Sequence, residues 1–238
     1  MSKNQRPEQL SLAVSLRDDA TFGNFLVEDG NRLLLEALYA FAKGEGDLNL
    51  LLWGREGSGL THLLQSCVTQ AERTKKLEIH YIPLKDMLGH SASEVLEGLD
   101  TLDLLCLDDI DCIAGNSHWE RELFHLYNRL RDRGGRLLLA SHNSPAGLKI
   151  ELADLKSRVC GSVVYAVQTL SDEAKITALQ LRAKNRGMDM SPEVANYIYL
   201  RSPRGNRDLF KTLDLLDEAT LQEKRLLSIP FVKTILGF

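Results

Sequence analysis

Up to residue 168 this chain repeats one pattern: a short apolar run, a turn, then a longer segment that reads as a helix. The apolar runs are Leu48–Trp53, Glu78–Pro83, Leu104–Asp108, Leu137–Ser141 and Ser162–Val167. Strands alternating with helices in this way predict an α/β fold, a mostly parallel five-stranded sheet with helices on both faces. One of the intervening helices is expected from Ser117 to Asp132, closed by Gly134 and Gly135. Beyond Thr169 nothing further reads as a strand. A helix over Asp172–Arg186 stops at Gly187, a usual position for a C-terminal glycine. Ser191-Pro192-Glu193 opens another, with serine as cap and proline in the first turn. Helices over Asn206–Lys224 and Pro230–Leu236 follow. The expected organisation is a tail over residues 1–17, an α/β domain over 18–168 and a small all-helical lid domain over 169–238.

The first strand runs into Gly54-Arg55-Glu56-Gly57-Ser58-Gly59-Leu60-Thr61. This fits the phosphate-loop pattern G-x-x-x-x-G-K-[ST] at every defined position except one, where Leu60 replaces the lysine. A strand before it and a helix from Thr61 supply the context that such a motif requires. Gly54, Gly57, Ser58, Gly59, Leu60, Thr61 and His62 are then the expected phosphate cradle. Its glycines let backbone N–H groups curl round phosphate oxygens, the helix adds its positive end, and Thr61 offers a hydroxyl to Mg²⁺.

A second element, Leu104-Leu105-Cys106-Leu107-Asp108-Asp109, is an apolar strand ending in acids. It puts carboxylates at the strand's C-terminal edge, where open sheets bind ligands. Asp108 is expected to hold the metal and Asp109 to polarise an attacking water, with Asp111 as a nearby spare. The strand Leu137–Ser141 ends in His142-Asn143, a polar pair placed to sense the terminal phosphate, although Asn-Ser-Pro is equally turn chemistry.

Composition narrows the rest. The 238 residues are 44% hydrophobic and 26% charged, ordinary values for a soluble globular protein. No apolar stretch reaches the roughly 18–20 residues of a membrane span and the polar N-terminus is no signal peptide, so a cytoplasmic protein is expected. Cys67, Cys106, Cys112 and Cys160 lack metal-type spacing and read as reduced thiols. The net charge of −4 argues against whole-surface nucleic-acid binding. Arg129, Arg131, Arg133 and Arg136 form one basic stretch, which Asp132 interrupts.

Phosphate loop, acidic strand end, polar strand end, Arg158 before the last strand and Arg207 at the start of a lid helix follow the order of an AAA+ module. More narrowly, the chain resembles the bacterial initiator family around DnaA. The matching residues are Thr21-Phe22-Gly23-Asn24-Phe25, the phosphate loop, Leu107-Asp108-Asp109, Leu155-Lys156-Ser157-Arg158 and Asn206-Arg207-Asp208-Leu209, and the resemblance runs from about Asp18 to Lys224. The initiator continues into a helix-turn-helix domain, for which no room is expected here. The shorter DnaA-related regulatory inactivators, the Hda family, are the more similar group. They end in a tail like Leu227-Ser228-Ile229-Pro230-Phe231-Val232-Lys233 and open with a peptide like Gln9-Leu10-Ser11-Leu12.

The resemblance implies an adaptor. The peptide Gln9, Leu10, Ser11 and Leu12 looks like a ligand for the β sliding clamp of DNA polymerase III, an extended segment whose leucines enter an apolar pocket. The DnaA initiator is the implied second partner: Arg158 acts as an arginine finger on its ATP, and re-initiation of replication is prevented. DNA is then met only through the clamp, and a homodimer stays open. Leu60 removes the cation that faces the terminal phosphates, so a nucleoside diphosphate, ADP, is the expected cofactor, with Mg²⁺ open and self-hydrolysis negligible. Arg207 and Arg55 compensate in part. Rival readings are an active AAA+ ATPase of the helicase-loader type, a DNA-binding regulator and a phosphate-loop kinase.

Overall fold

The computed structural model describes residues 20–74, 77–202, 206–223 and 225–237, without the side chains of Thr74, Asn206, Arg207 and Asp208. The peptide Gln9–Leu12 therefore lies outside the described residues. Strands β1 (Asn49–Trp53), β2 (Ile79–Pro83), β3 (Leu104–Asp108), β4 (Arg136–Ser141) and β5 (Val163–Ala166) form one parallel sheet in the order β2-β3-β4-β1-β5. Around it lie helices α1 (Arg32–Ala42), α2 (Leu60–Thr74), α3 (Leu84–Met87), α4 (Ala92–Leu96), α5 (Ser117–Asp132) and α6 (Ala153–Cys160). Helices α7 (Asp172–Asn185), α8 (Pro192–Arg201), α9 (Asn206–Glu223) and α10 (Ile229–Leu236) form the lid. The expected α/β fold with a helical lid is the observed one. The two short helices α3 and α4 carry too little periodicity to stand out in the sequence.

The central strands read as unbroken apolar runs because both faces of the sheet are covered. Leu50 and Leu52 of β1, with Leu138 and Ala140 of β4, face a core shared with α1 and α2. Leu51, Leu137 and Leu139 face the opposite core, under α4, α5 and α6. At the edge, β5 is covered less: Val163, Val164 and Ala166 are exposed, and the strand is shorter than the expected Ser162–Val167. Burial pushes the Cys67 and Cys106 thiols well above their ordinary range, so both are inert core groups.

Serine caps start three of the lid helices. Ser171 accepts from Ala174 N, Ser191 from Val194 N and Ser228 from Phe231 N, each satisfying an N–H that the helix cannot bond itself. Leu179, Ile198, Leu213, Leu216 and Phe231 fill the lid's own core. The lid is tied to the sheet by the segment ahead of α1. Asn31 Nδ2 donates to Gln168 O and Gln168 N donates to Asn31 Oδ1, both at 3.0 Å. Glu28 accepts from Ser171 N at 2.9 Å and Ser171 Oγ at 2.7 Å. Gly30 lies so close to Gln168 that an added Cβ would sit 2.1 Å from its Oε1.

The basic stretch is paired within the chain, with Arg129 and Arg133 still exposed. Arg129 and Arg133 pair with Asp100 at 3.5 and 3.2 Å, and Arg131 pairs with Asp132 at 3.0 Å. Arg136 donates to the carbonyl oxygens of Gly44, Glu45, Gly46 and Asp47, gathering the turn that follows α1. Among the described residues no helix is long and apolar enough to cross a membrane.

Candidate functional site

In a parallel sheet every strand ends at the same edge, so β1, β3 and β4, adjacent in the order, deliver their C-terminal residues to one place. The loop after β1 is pinned there by Gly54 N donating to Ser141 O at 3.1 Å. Gly57 and Gly59 have φ of 81° and 97°, a left-handed region that glycine enters without steric cost. A Cβ on Gly59 would also meet the Phe25 ring at 2.9 Å, so the backbone must stay bare at that point. Ser58 Oγ is buried and, among the described residues, has no hydrogen-bond partner. A buried hydroxyl in a glycine turn that runs directly into the start of α2 fits a phosphate group.

Leu60 opens α2 and is 3% exposed, packed into the apolar cluster of α1, α2 and the sheet. Thr61 Oγ1 donates to Asp108 Oδ2 at 2.7 Å, so the hydroxyl and the carboxylate expected at Mg²⁺ are neighbours. Asp108 is 2% exposed and also accepts from Tyr81 Oη at 2.9 Å. Burial, and then the Asp108 charge, push the Tyr81 phenol far above its usual range, which keeps it a donor. Among the described residues no group of three or more His, Cys, Asp or Glu could hold an ion. A hydroxyl with one carboxylate suits Mg²⁺, which completes its octahedron with water and phosphate oxygens.

His62, expected at the phosphates, has Nε2 2.9 Å from Thr21 O, and its ring centroid lies 5.9 Å from that of Phe25. It braces the Thr21–Phe25 segment against α2. His142 links the strand ends: its backbone N–H donates to Asp111 Oδ1 at 2.9 Å, Nδ1 lies 3.2 Å from Gly54 O, and Nε2 lies 3.2 Å from Asp109 Oδ1. Asn143 is exposed, and its backbone N–H donates to Ser141 Oγ.

Asp109 has φ 57°, a left-handed conformation that aspartate tolerates better than most residues. Burial and the adjacent Asp108 charge raise its pKa above the ordinary 3.8, while His142 pulls it back. The folded state thus holds this proton to higher pH than the unfolded chain does. Its contribution to stability is complete below about pH 4 and is lost as pH rises through the folded pKa. Asp109→Asn is expected to be more stable than the parent at pH 7 and to flatten the loss of stability above pH 4. Urea midpoints at pH 4 and pH 7 measure both effects.

A family model described as the bacterial DnaA ATPase domain matches residues 16–166, and one described as the Hda lid domain matches residues 172–236. The chain belongs to the bacterial DnaA ATPase-domain family. Domain III of the Thermotoga maritima replication initiation protein DnaA shares its fold, with a TM-score of 0.81 at 24% identity over 94% of this chain and 98% of that one. AMPPCP-bound DnaA from Aquifex aeolicus follows at 0.71 and 24%, over 84% of this chain and 66% of that one. The Thermotoga maritima RuvB Holliday junction branch migration motor has a TM-score of 0.67 at 17% identity, over 92% and 71%. This is a DnaA-related regulator, an AAA+ core carrying a lid of the Hda type.

In this DnaA-family protein Arg158 lies near the end of α6, exposed, and among the described residues its side chain makes no ion pair or hydrogen bond, while its carbonyl accepts from Ser162 Oγ. Leu155 and Val159 are its buried neighbours on α6, against α5. Its charge acts on Tyr127 of α5. Because α6 leads into the start of β5, it carries Arg158 away from the edge where the phosphate loop lies. Arg207 falls in the first turn of α9, and its side chain is outside the described residues. Tyr81 and Asn31 could not be found from sequence: a tyrosine in a strand and an asparagine before a helix carry no motif. Their roles come from partners distant along the chain.

Proposed function

We propose that this DnaA-family regulator is an adaptor that accelerates hydrolysis of ATP bound to the DnaA initiator, and that it does so while docked on the β sliding clamp. One contrast supports the reading above all. The loop meant for its own nucleotide has a buried leucine where a cation belongs, while an exposed arginine, unpaired among the described residues, stands elsewhere on the surface. In this reading Gly54, Gly57, Ser58, Gly59 and Thr61, with Thr61 and Asp108 at Mg²⁺ and Arg207 from the lid, hold a nucleoside diphosphate, ADP. When bound, the diphosphate supplies negative charge that draws the loop and the lid together. His62 braces the cradle, and His142 and Asn143 mark its far wall. The Asn31–Gln168 and Glu28–Ser171 bonds make the joint that such a ligand would set. Residues 1–17 serve as the clamp tether, 18–168 as the nucleotide domain and 169–238 as the lid.

Gln9→Ala/Leu10→Ala tests the tether. A pull-down with the clamp is expected to capture the intact chain and lose the double variant, and clamp-dependent stimulation of hydrolysis of DnaA-bound ATP is expected to fall with it. Equal capture of both chains would remove the clamp from the reading. Brisk ATP turnover by the isolated chain would instead favour an ATPase of the helicase-loader type.

A further inference from the structure

Glu120, in the first turn of α5, is 1% exposed, and every hydrogen bond it accepts comes from backbone. Oε1 accepts from Gly115 N at 2.7 Å. Both oxygens share the Glu151 N–H at 3.1 Å, and Oε2 accepts from Leu152 N at 2.7 Å. Among the described residues it pairs with no lysine, arginine or histidine. A carboxylate is kept in the core here to hold the chain just ahead of α6.

The need for it lies in α6 itself. Its N-cap is Leu152, which has no side-chain acceptor to offer. Leu155 and Val159 press α6 onto α5, but apolar contact is non-directional and leaves a short helix free to shift. Hydrogen bonds are directional and fix where the helix begins. Arg158 stands six residues beyond Leu152, about 9 Å along the axis at the rise of an α-helix. A small tilt at the pinned end is therefore amplified at the guanidinium.

We infer that Glu120 is a positioning residue for Arg158: its carboxylate, lent by α5, sets the start of α6 and so the place from which Arg158 reaches a neighbouring molecule's nucleotide. The inference rests on the reading of Arg158 as the arginine given to the initiator's ATP.

Glu120→Gln keeps the shape but turns an NH₂ group toward backbone donors. With the full chain, clamp on DNA and ATP-loaded initiator, its maximal stimulated hydrolysis is expected to fall on the order of 10²-fold, the cost of a misplacement of about 1 Å. The concentration for half-maximal stimulation stays unchanged, a split that general loss of fold would not give. Amide exchange at Gly115, Glu151 and Leu152 speeds up while β3 and β4 stay protected.

Full maximal stimulation by Glu120→Gln beside a dead Arg158→Ala overturns the role of Glu120 alone. Full stimulation by Arg158→Ala removes the reading of Arg158, and this inference with it. If Glu120→Gln fails to fold, Leu152→Pro takes its place. The Leu152 φ of −70° suits the proline ring, and the 2.7 Å donor is deleted together with a leucine side chain packed at the edge of the core. An unchanged maximal rate in that variant overturns the inference as well.

Discussion

Arg158→Ala is expected to abolish stimulation of the hydrolysis of DnaA-bound ATP while leaving the melting temperature and clamp binding unchanged. The fold should not notice the change, since the side chain is exposed and makes no ion pair or hydrogen bond among the described residues. The partner's reaction should notice it acutely. A guanidinium delivered across an interface neutralises charge on the transferring phosphoryl group and is worth roughly 10³–10⁵ in rate. At about 1.4 kcal/mol per decade that is on the order of 4–7 kcal/mol of barrier, enough for one side chain to separate an active from an inactive complex. Arg158→Lys should recover little, because an ammonium keeps the charge but not the planar fork. Single-turnover decay of labelled ATP preloaded on DnaA, with clamp-bound protein added, measures the effect. Undiminished decay with the alanine variant would end the proposal.

The second large effect is expected at Leu60. In the parent protein no cation stands at that position, so ATP should bind no tighter than ADP. Leu60→Lys restores a charge near the terminal phosphates. Two unit charges ~4 Å apart at an effective dielectric of ~20 attract by about 4 kcal/mol, a ceiling near 10³ in affinity. The ATP-to-ADP affinity ratio is expected to rise at least tenfold in calorimetry. The same substitution has a cost when no nucleotide is present. Leu60 is 3% exposed in an apolar cluster, and a charge taken out of water there is penalised by several kcal/mol unless it finds a partner. The nucleotide-free variant should therefore melt below the parent, and ATP should raise its melting temperature more than it raises the parent's. An unchanged affinity ratio would show that Leu60 does not face the phosphates.

Much of the fold is legible in the chain because its signals are short-range. The runs 104–107 and 137–140 are apolar at every position and too short for a helix, which suits strands buried on both faces, and they became central strands β3 and β4. Ser191 before Pro192 announces a helix start, and its hydroxyl caps Val194 as such a serine should. The edge was less legible: β5 is one residue shorter at each end than expected, and among the described residues it pairs with β1 alone. The site divides in the same way. Gly57, Gly59 and Thr61 announce themselves by spacing, and Thr61 does meet Asp108. His62 shares that spacing, yet its ring turns to the Thr21 carbonyl, because the segment before α1 packs across α2 and offers it an acceptor. The arginines 129, 133 and 136 of the basic stretch find their partners only through folding, Asp100 for the first two and the carbonyls of residues 44–47 for the third, whereas Arg131 pairs with the adjacent Asp132.

What the amino-acid order determined by itself was the alternation of strand and helix, the glycine turn with leucine in place of its cation, and the change to an all-helical lid. Each follows from residues within a few positions of one another, where backbone sterics, capping and side-chain periodicity act. Only the tertiary structure decided which groups meet: Thr61 with Asp108, His142 with Gly54 and Asp109, Asn31 with Gln168, and Glu120 with the start of α6. Those pairs are set by strand order and by the demand that buried polar groups find partners, a demand that no local stretch of sequence can meet alone.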